Sequence, residues 1–286
     1  MPSTAKKRVA FTQGRVIPAA LLALALAAAQ PCAAAAPSFG DGVPTASVRA
    51  QLERLKPQRP GVIDVYAVIV GADGEEDVFR KEVVSVREAL DTRLDTSGRS
   101  VTLVNHRSSP QPEATLKSLE HVLNQVAVRM DRDEDVLFLH LTTHGSSHHV
   151  LLFRHPSGEL YGLTPKHLQG LLAKAQIRNR VILISACYSG GFIAPLANPD
   201  TLIITAAELN RKSYGCGNDS EITDFSRAYY LKALRQTRYL PATARIAQQI
   251  IHGEESATKR QHSYPQMQLG VSMEERLRAL EQRLAR

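Results

Sequence analysis

The chain reads as an α/β protein with a mostly parallel sheet and helices on both faces, and three observations predict it. Strand-like runs alternate with longer stretches of helical periodicity between Val62 and Thr205, the pattern of successive βαβ units. The runs Val136-Leu137-Phe138-Leu139-His140-Leu141 and Val181-Ile182-Leu183-Ile184 are apolar at consecutive positions, as strands covered on both faces are. Finally, each of these two runs opens into a reactive residue beside glycine. The first leads to Thr142-Thr143-His144-Gly145 and the second to Ser185-Ala186-Cys187-Tyr188-Ser189-Gly190-Gly191. In open α/β sheets, ligands bind outside the carboxyl ends of the strands, so the His and the Cys can face one substrate.

The first 35 residues have their own character. Lys6, Lys7 and Arg8 precede an apolar stretch from Val16 to Ala29 and a small-residue exit at Ala33-Ala34-Ala35-Ala36, the order of a secretory signal peptide. Residues 1–35 are expected to be cleaved, leaving a periplasmic or secreted protein; an uncleaved leader is the one route to a membrane. Ala29-Gln30-Pro31 ahead of Cys32 does not offer the residues of a lipoprotein cleavage site. The leader carries four of the 35 basic residues and no acid, so the net charge of +7 falls to 31 basic against 28 acidic residues. That balance is no nucleic-acid footprint, and the absence of Trp argues against a base-stacking platform.

Residues 36–59 read as a linker broken by Gly40, Gly42, Pro44 and Pro57, with a short helix-like piece carrying Val48, Leu52 and Leu55. From Val62 the expected order is a strand to Val70, a helix from about Val78 to Leu94, a strand over Ser100 to Asn105 and a helix from about Ala114 to Met130. Val83, Val86, Leu90 and Leu94 give the first helix one apolar face, and Leu116, Leu119, Leu123 and Val126 do so for the second. After the His-bearing strand, Val150 to Phe153 pairs as a small hairpin with Leu160-Tyr161 across Ser157-Gly158. Thr164-Pro165 supplies a cap and a first-turn proline for a helix to about Ala175. The Cys strand, a strand at Thr201 to Thr205, a helix from Thr223 to Leu234 and a C-terminal helix over 273–286 complete the chain. Met273, Leu277, Leu280 and Leu284 recur there at helical spacing.

The chemistry follows from the two strand ends. A thiol is only a few per cent thiolate at neutral pH and needs an imidazole to activate it or to pass a proton to the leaving amine. Cys187 as nucleophile, His144 as its base, and the Gly145 and Cys187 amides as oxyanion donors make an acyl-transfer site. Without the leader only Cys187 and Cys216 remain, so no disulfide framework is expected.

At Thr143-His144-Gly145 and Ala186-Cys187-x-Ser189-Gly190 the chain resembles the legumain and GPI-transamidase family of cysteine peptidases, in particular its bacterial members. The likeness continues through Ile204-Thr205-Ala206-Ala207, Ser213-Tyr214-Gly215-Cys216 and Pro265-Gln266. It implies a caspase-like three-layer sandwich over residues 60–272, acting as a cysteine endopeptidase or transpeptidase on peptide or protein substrates, with no cofactor and no metal. By the same likeness Ser213 lines the pocket for the residue before the cleaved bond, called P1, and Cys216 packs nearby. Tyr188 stands where legumains carry an acid, Arg227 where they carry a pocket acid, and Arg80 matches a pocket arginine. Two arginines without a facing carboxylate would favour an acidic P1 residue. Asp77 falls near the position of an orienting asparagine.

Two rival readings stand beside this one. His140, His144 and His148 crowd one stretch and would serve a metal-dependent hydrolase, although a strand and its loop do not place them on successive helical turns. A catalytically silent caspase-fold binding module is the other. His148 and His149 are expected as exposed loop residues at the mouth of the cleft. A serine hydrolase is excluded, because Ser189 lacks the leading glycine of a nucleophile elbow.

Overall fold

The computed structural model describes residues 44–285, so the expected leader lies outside the described residues. Their main sheet has six strands in the order β2-β1-β3-β6-β7-β8. These are β1 (Val65–Gly71), β2 (Ser100–Val104), β3 (Val136–Thr142), β6 (Arg180–Ser185), β7 (Thr201–Thr205) and β8 (Gln266–Leu269). The first five run parallel and β8 pairs antiparallel with β7. The hairpin β4 (Leu151–Arg154) with β5 (Leu160–Leu163) forms as expected, with Phe153 opposite Tyr161.

Alternation along the buried strands divides the core into two layers. Tyr66, Val68 and Val70 of β1 face one side, where α3 (Leu116–Arg129) and α4 (Pro165–Ala175) contribute Leu119, Leu123, Leu168 and Leu172. Val65, Ala67 and Ile69 face the other, against α2 (Asp77–Leu94), α8 (Leu240–Ala257) and α9 (Val271–Leu284). The result is helix on sheet on helix. The Thr164 hydroxyl accepts from the His167 amide, with Pro165 opening α4, so the sequence signal for this helix start corresponds to a real cap.

The boundaries depart from the sequence reading in four places. The supposed linker contains α1 (Ala46–Glu53), whose Val48 and Leu52 are buried in the first layer. The Gln51 amide of α1 also satisfies the edge strand, accepting from the Thr102 amide at 2.8 Å and donating to its carbonyl at 3.1 Å. This covers an edge that would otherwise offer free backbone groups. At the other end, α9 buries Met273, Leu277 and Leu280 against the sheet and belongs to the domain. Neither α8 nor β8 is anticipated by the sequence reading. The helix expected over Thr223 to Leu234 is α6 (Asp224–Ser226), a π-helical stretch (Arg227–Ala233) and α7 (Leu234–Gln236). The wider turn puts both Tyr229 and Tyr230 in the core. No helix of the described residues is long and apolar enough to cross a membrane.

Candidate active site

Strand register brings the chemistry together. Thr142 of β3 is the partner of Ser185 of β6, and the Thr143 amide extends the ladder to the Ser185 carbonyl. His144 and Cys187 therefore each lie two residues beyond the same rung, on adjacent parallel strands. Gly71 ends β1 opposite Thr142, so the loop from Ala72 into α2 rises beside the His loop. The crevice sits next to the point where strand order reverses, since β2 lies to one side of β1 and β3 to the other.

The thiol of Cys187 is half-buried and faces Ser213, with its sulfur 3.6 Å from the Ser213 carbonyl and 3.8 Å from the Ser213 hydroxyl. Gly145 packs against the Cys187 backbone so closely that a Cβ there would come within 2.0 Å of the Cys187 carbonyl. Only glycine fits. Among the described residues neither the Gly145 nor the Cys187 amide donates to another group, so both are available to an acceptor from outside the chain. Tyr188, directly after the thiol, takes a left-handed φ of 55° and donates its amide to the Arg211 carbonyl at 2.7 Å. The structure thus brings His144, Gly145, Cys187, Tyr188 and Ser213 to one place.

His144 is held by a residue the sequence reading passes over. Its Nε2 lies 3.2 Å from a carboxylate oxygen of Glu76, at the start of α2, and its ring meets the edge of Phe79 with centroids 5.1 Å apart. Asp77, the expected orienting residue, is instead committed to Arg80 at 2.6 Å and to His106 at 3.1 Å. The Arg80 hydrogen bond holds the Asp77 carboxyl below its usual range. The one available clue to Glu76 is its place just after the β1 turn, five residues beyond Gly71. No hydrogen bond joins the His144 imidazole to the Cys187 thiol.

The expected arginine pocket does not form. Arg80 pairs with Asp77 and lines a cavity of about 440 Å³ with Val83, Arg87, Thr102 and His106, beside the edge strand. Arg227 lies between Asp224 at 3.1 Å and Glu254 at 3.0 Å, and Arg260 also reaches Asp224. Each arginine faces a carboxylate, contrary to the sequence expectation. The acid near the Ser213 loop is Asp224, whose amide donates to the Tyr214 carbonyl and whose backbone presses on Gly215. Cys216 is a free, half-buried thiol; burial pushes its pKa up, and the neighbouring Cys187 adds to the shift.

The histidines of the metal reading diverge. His140 is fully buried, with Nε2 3.0 Å from Glu82 and Nδ1 3.0 Å from the Tyr230 hydroxyl, so both ring nitrogens are occupied. His148 is exposed in its loop. A different trio, Asp73, Glu76 and His144, holds ligand-type atoms within 4.8 Å of one another. There the Arg154 guanidinium already lies on Asp73 at 2.9 Å and Glu76 at 3.3 Å, supplying the positive charge those carboxylates require.

Behind the site, the buried Glu82 carboxylate ties the elements together. It accepts from His140 of β3, from the Ser226 hydroxyl at 2.6 Å and from the Thr223 amide at 3.0 Å. The Thr223 hydroxyl meets that of Ser185, at the end of the Cys strand, at 2.8 Å. Burial pushes the Glu82 carboxyl up, but the His140 hydrogen bond and charge with the two other donors outweigh it and hold the group ionised.

No curated protein sequence matches the chain. Among solved structures, caspase-1 from Spodoptera frugiperda is similar, with a TM-score of 0.48 and 17% identity over 74% of this chain and 92% of that one. The model of the Peptidase C13 family matches residues 113–275, a stretch that holds both strand ends and the Ser213 loop. With a Cys and a His beyond one rung of the sheet inside that match, the chain belongs to the Peptidase C13 family, the legumain family of cysteine peptidases.

Proposed function

We propose that the protein is an exported cysteine endopeptidase that cleaves peptide bonds with Cys187 and His144. The observation that carries this reading is the register of β3 on β6, which sets the two side chains two residues past a shared rung beside two unpartnered amides. The Cys187 thiolate attacks the substrate carbonyl, and the Gly145 and Cys187 amides receive the oxyanion. His144, with Nε2 turned to Glu76, presents Nδ1 to the substrate and protonates the leaving amine. The resulting thioester is released by water, or by an amine where the enzyme acts as a transpeptidase. Glu76 orients the imidazole and stabilises its charged form.

Selectivity at P1 rests on Ser213 and Tyr188, while Arg227 and Arg260 nearby are paired with acids. With these arginines engaged, an acidic P1 side chain finds no free guanidinium among them to bind. Export rests on the leader, whose basic start, apolar stretch and small-residue exit stand in the order that secretion requires.

Screening the purified protein against a peptide library identifies a substrate, after which Cys187→Ser is expected to abolish turnover with the fold intact. A chelator should leave the wild-type rate unchanged. Full turnover by Cys187→Ser, or inactivation by the chelator with recovery on zinc, would overturn the assignment.

A further inference from the structure

We propose that His149 is a positioning residue that clamps the His144-bearing loop onto the Cys187-bearing turn. The inference rests on the reading that His144 and Cys187 act together, and adds the device that fixes their separation.

Two residues at this junction hold a backbone conformation that side chains other than glycine rarely adopt. His149 has a φ of 57° and Tyr188 a φ of 55°. Left-handed backbone is unfavourable for a non-glycine residue and persists where the surroundings impose it, commonly at functional sites. Here the two strained residues are bonded to each other. The His149 Nδ1 lies 3.1 Å from the Tyr188 carbonyl, and because a carbonyl only accepts, the bond requires the proton on Nδ1. The expectation of an exposed His149 thus fails, since its ring is half-buried on the neighbouring loop.

The seat for that ring is cut by a glycine. A Cβ on Gly191 would lie 2.2 Å from His149 Cγ and 2.5 Å from Nδ1, so any larger residue there would drive the imidazole off the turn. The Gly191 amide also donates to the Tyr188 carbonyl, at 3.3 Å, and that oxygen is therefore held from two sides.

The far end of the clamp is equally defined. The His149 amide donates to the Ser146 carbonyl, the Ser146 amide to the Val150 carbonyl and the Val150 amide to the Ser146 hydroxyl. This closed turn follows directly on His144 and Gly145. A displacement at His149 is passed to the base and to one oxyanion donor, while its partner Tyr188 adjoins the nucleophile. Misplacement by about 1 Å in such a site costs on the order of 100-fold in rate.

The test compares wild type with four variants of the full chain on one library-derived peptide. His149→Gly keeps the left-handed turn without strain and deletes the ring; it should lower kcat by about 10- to 100-fold with KM within about threefold of wild type. His149→Asn places an amide nitrogen where Nδ1 was and tolerates the same backbone, so kcat should stay within about threefold of wild type. Gly191→Ala should impair the wild type but add nothing to His149→Gly, because the atoms it strikes are gone. Wild-type kcat in His149→Gly, equal damage from Asn and Gly at 149, or an equal Gly191→Ala effect in both backgrounds would each overturn the clamp. Labelling of Cys187 by iodoacetamide, followed by mass spectrometry in every variant, reads the nucleophile separately, and retained turnover in Cys187→Ser would refute the catalytic reading instead.

Discussion

Glu76 and Asp77 are neighbours in sequence but face different partners, and this decides which of them serves the imidazole. With Nε2 of His144 at 3.2 Å from Glu76, Glu76→Ala is expected to lower kcat by about 10-fold or more through a misdirected ring. Asp77→Ala, removed from His144 by its own ties to Arg80 and His106, should leave kcat near wild type; steady-state kinetics on both variants checks the pair. The family resemblance pointed to the right turn but could not choose between adjacent acids, because side-chain direction at a helix start depends on the loop before it. The same limit explains the arginines. Arg227 is visible in sequence, whereas Glu254, its partner 27 residues later, sits on a helix the sequence reading does not include. Arg227→Glu would place three acids together and should lower Tm by roughly 2–4 °C or more, with little change in P1 preference. A large shift in preference by substrate profiling would show that Arg227 contacts substrate after all.

At the scale of elements, Glu82 joins α2, β3 and the start of α6 through one buried carboxylate. Glu82→Ala would leave the His140, Ser226 and Thr223 donors without their acceptor, a loss of about 3–5 kcal/mol, read as a shifted urea midpoint. Glu82→Gln should cost less, about 1–3 kcal/mol, since one oxygen still accepts. Because the folded carboxyl is held below its ordinary value, its contribution is present above the ordinary carboxylate pKa and is lost as the pH falls through and below that range. The gap between wild type and Glu82→Gln should therefore hold from about pH 7 to about pH 5 and narrow as the pH falls below about 4. Strands β1 to β7 and α2 to α4 were legible because their apolar patterns are strong, and Thr115 and Thr164 cap α3 and α4 while α2, without a side-chain cap, stands on its periodicity. α8 was not, for Ala244 and Ala247 supply much of its buried face, Tyr239 gives no side-chain cap and Gly253 interrupts it. β8 is four residues long, partly exposed and split between Gln and apolar positions. The π-helical stretch is also illegible, because a one-residue widening changes which tyrosines face inward without altering composition.

For the whole molecule, the two apolar layers and the register of β3 on β6 make a rigid platform on which the loops carry the chemistry. The placement of the chemistry was readable from two strand ends, since buried apolar runs mark parallel strands and each reactive residue stands at a run's end, whereas the register itself comes only with the structure. If residues 1–35 direct export, intact mass of protein recovered from the cell envelope should place the mature N-terminus between Ala29 and Pro37, and a cytosolic chain still beginning at Met1 would contradict the assignment. The claim that binds all the rest is that Cys187 is the group that attacks. A peptidyl chloromethyl ketone built on the best library sequence measures it most directly, with mass spectrometry of the labelled site set against residual activity. Activity should fall in step with one label on Cys187, slowed by competing substrate, while Cys216, its thiol pKa raised by burial, stays unmodified. Activity retained with Cys187 fully labelled, or lost with the label on another residue, would contradict the account.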